Sequence, residues 1–304
     1  MAEYIAHLVT MAAIYIILVY ALNLVAGEGG LLAFCFGGIW GIGAYAAALS
    51  MIGSTQAPYI DSLALTGRAT LEVAAAVAMA CGSAAGLLAA LLTLRLRGDS
   101  FVLATLAVQA LLVSLMANAD SITRGSSGLY ALPRPRLIGG FEPDLLAYAV
   151  LSSLAALGVA IGAFLTRRTN FGLSIRALRD SERRAASIGI WPNKTFCAAF
   201  IIAGAAAGLA GALYVGRAAY IDPASFAVGE SIILVTALML GGSGTVWGPA
   251  AGGAVVVLLP ELLRFADVGH NDAAAWRVMI FGALLVALIV LRPAGLVGRG
   301  GSRV

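Results

Sequence analysis

Charge is what this sequence has least of. Only 11% of its 304 residues are Asp, Glu, Lys or Arg, while 61% are hydrophobic. A soluble domain carries about a quarter charged residues, because its surface must face water. That shortage excludes a water-soluble enzyme of this length and points to a surface covered by lipid. Lysine is nearly missing: Lys194 is the single one among 19 basic residues. A Walker A loop needs Gly-Lys-Ser/Thr, because its lysine must reach the β- and γ-phosphates. Lys194 follows Pro192 and Asn193 instead of glycine. If ATP drives this protein, ATP and Mg belong to partner subunits and this chain needs no cofactor.

Histidine is equally scarce, with His7 and His270 each alone near a helix end. HExxH, CxxC and GxSxG are absent, so no catalytic centre and no metal site is expected. Cys35, Cys81 and Cys197 lie in apolar stretches without paired spacing, as small packing residues do. The amino end has no basic n-region, so the first helix is expected to be an uncleaved anchor. The arginines sit in short loops between apolar runs, which argues against nucleic-acid binding.

What the sequence has is long apolar runs: Ile5–Ala26, Gly30–Ile52, Leu71–Leu92, Phe101–Ala117, Leu145–Leu165, Thr195–Val215, Phe226–Leu240, Trp247–Leu263 and Ala275–Leu291. Most approach the ~20 residues that cross ~30 Å of hydrocarbon. They predict an all-α fold: a single domain over residues 1–304, a polytopic transmembrane bundle of roughly eight to ten helices. The run Phe226–Leu240 is short. Two glycine-rich breaks, at 27–30 and 241–244, are either tight loops or half-helix junctions beside a pathway.

Basic loops set the orientation. Arg95 and Arg97, the segment from Arg167 to Lys194, and the tail with Arg292, Arg299 and Arg303 fall on one side when helices alternate. That side, with the carboxyl terminus, is expected to be cytoplasmic. Arg124, Arg134 and Arg136 fall on the other side and dissent. Small residues recur four apart, as Gly37 and Gly41, Gly82 and Gly86, Gly158 and Gly162, Gly204 and Gly208, and Gly248 and Gly252. Such pairs let helices approach closely in lipid.

The segment 167–194 predicts a helix from Ser174 to Ile188, capped by Ser174 and ended by Gly189. Leu178, Ala185 and Ile188 would share one face. Two readings stand side by side. A polybasic loop gains about 1 kcal/mol per charge against anionic membrane lipid. Alternatively, the mixed charges, with Asp180 and Glu182 among arginines, form a docking helix for a cytoplasmic partner.

Several strings carry a resemblance. GLSIRALRDSE (172–182), AASIGI (185–190) and AGAAAGLAGALY (203–214) are preceded by RGDSF (97–101) with ATLA (104–107) and by TRGSSGL (123–129) with PRP (133–135). LGGSGTVWGP (240–249) and RPAGL (292–296) follow. Together and in this order, they resemble branched-chain amino acid ABC transporter permeases of the LivM type. GIGAY (41–45) also fits, but LAFCF (32–36) replaces the Ser-Leu-Gly-His-like stretch of that family. If that stretch lines the path, the cargo is not fixed as branched-chain amino acids, and urea and short amides stay open.

The resemblance implies one of two permease subunits of an inner-membrane importer working by alternating access. Its partners would be a second homologous permease, two cytoplasmic ATPases and an extracytoplasmic solute-binding protein. ATPase coupling would fall to Arg176, Arg179, Asp180, Glu182, Arg183, Ala185, Ala186 and Gly189. Gly37, Gly41, Gly43, Glu230, Gly241, Gly242, Gly244 and Pro249 are candidates for the translocation pathway. The rival is a secondary transporter or channel, which would keep ionisable residues within its helices. Glu72, Arg217, Glu230, Glu261, Arg264 and Arg277 are the candidates, mostly near helix ends, where snorkelling explains them.

Overall fold

In the computed structural model, the described residues are 2–52 and 69–265, apart from 131, 134, 138–141 and 219, together with residue 282. The expected run Ala275–Leu291, His270, Arg277, Arg134 and the tail arginines lie outside them.

Helix α1 (Ala2–Leu22) continues into a π-helical turn, Asn23–Glu28. An irregular stretch, 29–35, leads to α2 (Phe36–Met51), then α3 (Leu71–Thr93) and α4 (Asp99–Asn118). The short α5 (Asp120–Thr123) and strand β1 (Leu129–Tyr130) precede α6 (Leu145–Arg168). Next come α7 (Asn170–Asp180), α8 (Glu182–Ser187) and α9 (Pro192–Val215). Strand β2 (Tyr220–Ile221), a 3-10 turn (Pro223–Phe226), α10 (Val228–Gly241) and α11 (Gly248–Phe265) complete the described chain. Six helices are long and apolar enough to cross a membrane, and α2 and α11 are shorter apolar ones. Those eight, among the described residues, stand at the low end of the expected eight to ten.

The ends sort onto two faces. On one, Arg97 holds Glu182 through Nε and Nη2 at 2.9 and 2.6 Å, and Arg167 pairs with Glu28 at 2.8 Å. On the other, β1 pairs antiparallel with β2, and the Leu71 amide donates to the Arg136 carbonyl at 2.7 Å. The basic loops at 95–97 and 167–194 therefore share a face, as helix alternation predicted. Dissenting Arg136 and Arg124 are on the opposite face, where Arg136 pairs with Glu142 and Arg124 lies 4.4 Å over the Tyr130 ring.

Glycine sets the packing. A Cβ on Gly82 or Gly86 of α3 would strike the backbone of Gly204 or Phe200 in α9, and one on Gly43 would strike Gly208. Gly241 and Gly252 bring α10 and α11 equally close. Gly158 and Gly162 of α6 meet no other described residue, so among the described residues their spacing serves no packing.

α2 covers 16 residues, about 24 Å at 1.5 Å each, short of a full crossing. It starts inside the bundle and runs to the face that carries β1 and β2, where the Ala69 amide donates to Ser50. α10 also starts inside and runs the other way, to the basic face. So α1, the 29–35 stretch and α2 recur in reverse sense as α9, the 216–227 stretch and α10. In the same way α3 packs on α9 while α11 packs on α1.

Candidate functional site

Two regions concentrate the polar side chains of the helices. The first lies inside, where α2 and α10 begin. A helix start leaves backbone N–H groups without partners, and in lipid nothing but protein can satisfy them. Gln109, fully buried half-way along α4, satisfies one such N–H and a neighbouring carbonyl: Oε1 accepts from the Gly38 amide at 2.6 Å, while Nε2 donates to the Phe226 carbonyl at 2.7 Å. Ser231 Oγ accepts from the Gly37 amide at 3.1 Å, and Thr105 Oγ1 from that of Phe34 at 3.1 Å. Beside them the Tyr15 hydroxyl donates to Glu230 at 2.8 Å. Phe226 meets Trp40 edge-on at 4.9 Å and Tyr45 at 6.3 Å, and all three rings are buried. Side chains fill this level of the bundle.

The second region is on the basic face, where the two glycine breaks meet. Asn23 Oδ1 accepts from the Gly244 amide at 2.9 Å, and the Tyr20 hydroxyl donates to the Val246 carbonyl at 2.8 Å. Glu28 is 4% exposed. Arg167 Nε lies 2.8 Å from one of its carboxylate oxygens and Arg176 Nε 3.7 Å from the other. Arg167 Nη2 also donates to the Gly244 carbonyl at 2.8 Å, and Arg179 Nη1 to the Gly27 carbonyl at 2.5 Å. Breaking such a buried pair by removing one partner costs about 3–5 kcal/mol, since a bare charge is left behind.

The helix expected from Ser174 to Ile188 is two helices. Ser181 is extended (φ −166°, ψ 108°) and its hydroxyl accepts from the Arg184 amide, capping α8 afresh. The cap of α7 is Thr169, accepting from the Gly172 amide, while the Ser174 hydroxyl bonds within the helix to Asn170. The break rotates α8, so Leu178 and Ala185 stay buried while Ile188 is 75% exposed. Gly189, at φ +89°, ends the helix as expected.

Several expected coupling residues are held by other parts of the chain. Arg179 and Arg176 reach the Gly27 and Glu28 region, Glu182 is held by Arg97, and Ala185 is buried. Asp180, Arg183, Ala186 and Gly189 are exposed, together with Arg184 and Ile188. The pathway candidates divide. Gly37, Gly41 and Glu230 are at the interior start points, and Gly241, Gly242, Gly244 and buried Pro249 are on the basic face. Gly43 packs α2 on α9. The break at 27–30 is a half-helix junction, and that at 241–244 opens a tight loop with Gly242 and Gly244 at positive φ. Gln109, Ser231, Thr105 and Asn23 escaped the sequence reading. The lone amide inside the apolar run Phe101–Ala117 was the available signal.

A family model for the permease component of branched-chain amino acid transport systems matches residues 4–289. The chain belongs to that family. The high-affinity branched-chain amino acid transport permease LivM of Salmonella typhimurium is 30% identical over 94% of this chain and 68% of its own length. LivH of Escherichia coli is 26% identical over 96% of this chain and 93% of its own. An autoinducer 2 import permease, LsrC of an Enterobacter strain, is 28% identical over 75% of this chain and 65% of its own. No solved structure matches the chain. It is a multi-pass membrane permease component, and the reading as a secondary transporter or channel is not favoured.

Proposed function

We propose that this chain is one of two permease subunits of an ATP-driven importer for branched-chain amino acids in the inner membrane. A second homologous permease, two cytoplasmic ATPases and an extracytoplasmic solute-binding protein complete it. The basic face is cytoplasmic, and the carboxyl terminus with it. Residues 167–194 are the coupling loop, and alternating access moves the solute.

The observation that carries this reading is the two-sided loop. Its inner residues are clasped to the bundle, while Arg183, Arg184 and Ile188 of α8 and the turn after it project outward. A loop serving only topology needs no such division. The path is at the junction with the second permease, because Trp40, Tyr45 and Phe226 fill the interior of this chain. α10 supports that placement: Ile232 and Met239 are 50% and 37% exposed along one stripe, and Gly229 at its start is exposed too.

The stretch 32–36 supports keeping a second cargo class in view, since Phe34 beside the α2 start departs from the family string. The test is co-expression with candidate ATPases and binding protein, followed by affinity purification and uptake into proteoliposomes. Retained ATPases with leucine, isoleucine or valine uptake support the proposal. Uptake of urea or short amides instead would change the cargo and keep the machine. An ATPase-free chain that moves solute on an ion gradient would overturn it.

A further inference from the structure

The loop 167–194 begins in the last turn of α6 and runs into α9, and its arginines also hold segments far away in the sequence. Arg167 and Arg176 grip Glu28 at the end of the π-helical turn, and Arg179 grips the Gly27 carbonyl. Arg167 also grips the Gly244 carbonyl in the loop between α10 and α11. Glycine makes room for these holds. A Cβ on Gly30 would lie 2.9 Å from Arg179 Cγ, and one on Gly244 would lie 2.6 Å from Arg179 Nη1. Asn23 then ties the two breaks to one another.

We infer that Glu28, Arg167, Arg176 and Arg179 form a clasp that hands the loop's movement to α1 and to the α10–α11 turn. The inference rests on the reading that this loop docks ATPases. From Gly27 and Glu28 the push passes along 29–35 to the interior start of α2. From Gly244 it passes up α10 to Ser231, which caps that same start. Both routes end at one place, where Gln109 and Ser231 hold the backbone. The π-helical turn is the element suited to move. Such turns are rare overall and are frequent at functional sites. Glu28 and Arg179 are positioning residues in this scheme, and neither touches the solute.

Two measurements on the intact protein test it. In liposomes holding the whole transporter, Glu28→Gln and Arg179→Gln should keep their ATPases and hydrolyse ATP near the wild-type rate. Solute moved per ATP should fall about tenfold, the size of an ordinary coupling energy. Arg179→Lys, which keeps a cationic donor, should recover most of it. Uptake and hydrolysis falling in parallel, or an unchanged ratio in both glutamine variants, would overturn the clasp. Should Glu28→Gln fail to insert, Arg179→Gln decides, since Arg179 is an exposed residue whose loss opens no core. The second measurement is amide hydrogen exchange on the purified chain without partners. Arg179→Gln should speed exchange about tenfold in 29–35 and 242–246, leaving β1 and β2 unchanged. Unchanged exchange in those stretches removes the clasp. Faster exchange with a wild-type chain that recruits no ATPase keeps the clasp and rejects only the importer reading.

Discussion

Arg179 and Gly27 are 152 positions apart, yet the guanidinium of one donates to the carbonyl of the other at 2.5 Å. The contact gives a residue of the basic loop a hold on the end of the first helix. It also separates two groups of charges that look alike in sequence. Arg179 and Glu182 are bonded to other segments of the chain, whereas Arg183 and Arg184 are exposed without such a bond among the described residues.

That separation yields a first prediction. Reversing the outward charges in Arg183→Glu with Arg184→Glu should remove the ATPases from the purified complex. Exchanging the inward pair, Arg179→Glu with Glu182→Arg, should leave them bound and abolish uptake. Lost partners of desolvated charge pairs cost about 2–5 kcal/mol, enough to empty a docking surface at working concentrations. Anionic-lipid attraction depends on net charge, which the exchange preserves and the double reversal does not. Co-purification and uptake from one membrane preparation read both effects. Equal ATPase retention in the two variants would contradict the division of the loop.

Glycine substitutions give the second prediction, because identical spacing has different consequences. Gly208→Leu and Gly248→Leu should lower the unfolding temperature in detergent and reduce assembly. A side chain at 208 would enter the backbone of α3 at Ala78, and one at 248 would strike the Gly242 carbonyl. Overpacking costs about 1–3 kcal/mol where neighbours can yield, and here they are backbone. Gly162→Leu on α6 should leave both readouts near wild type, since no described residue is within reach of its Cβ. Equal thermal shifts at 162 and 208 would remove glycine-mediated packing as the cause.

Apolar run lengths made the crossing helices legible, and glycine spacing marked the tightest contacts without revealing which pairs touch. Gly158 and Gly162 read the same as Gly82 and Gly86 because period reports a face and not what covers it. The loop misled for a related reason. Heptad-like spacing of Leu178, Ala185 and Ile188 assumed one continuous helix, but Ser181 broke the register. Gln109 was hidden because its importance comes from two backbone groups 71 and 117 positions away in sequence. No local pattern encodes that.

A third prediction concerns orientation. Ser181→Cys should be protected from an impermeant thiol reagent added to intact cells, and Ser126→Cys should react. The first lies in the basic loop, and the second is an exposed residue beside β1 on the opposite face. Arginine clustering makes the loop side cytoplasmic. The background must lack Cys35, Cys81 and Cys197. Ser302→Cys tests the carboxyl tail in the same assay, with protection expected. Labelling at 181 together with protection at 126 would invert the whole bundle.

The fourth prediction returns to Gln109. In Gln109→Leu the side-chain volume is nearly kept, but the Gly38 amide loses its acceptor and the Phe226 carbonyl loses its donor. Each buried group left unsatisfied costs about 1–3 kcal/mol, and lipid offers no water to compensate. The variant should therefore unfold at a lower temperature and lose uptake, because the starts of α2 and α10 are no longer held together. Gln109→Glu separates the two bonds: when ionised, its carboxylate still accepts from Gly38 but cannot donate to Phe226. It should fall below wild type, since the ionised form would bury a charge and the neutral acid offers a single O–H in place of the amide N–H₂. Gln109→Asn keeps both functions on a shorter stem and should fall between wild type and leucine. Thermal unfolding and solute uptake, measured on all three, check the order. Wild-type stability and transport in Gln109→Leu would mean that other groups hold these two helix starts, and that the buried amide is incidental.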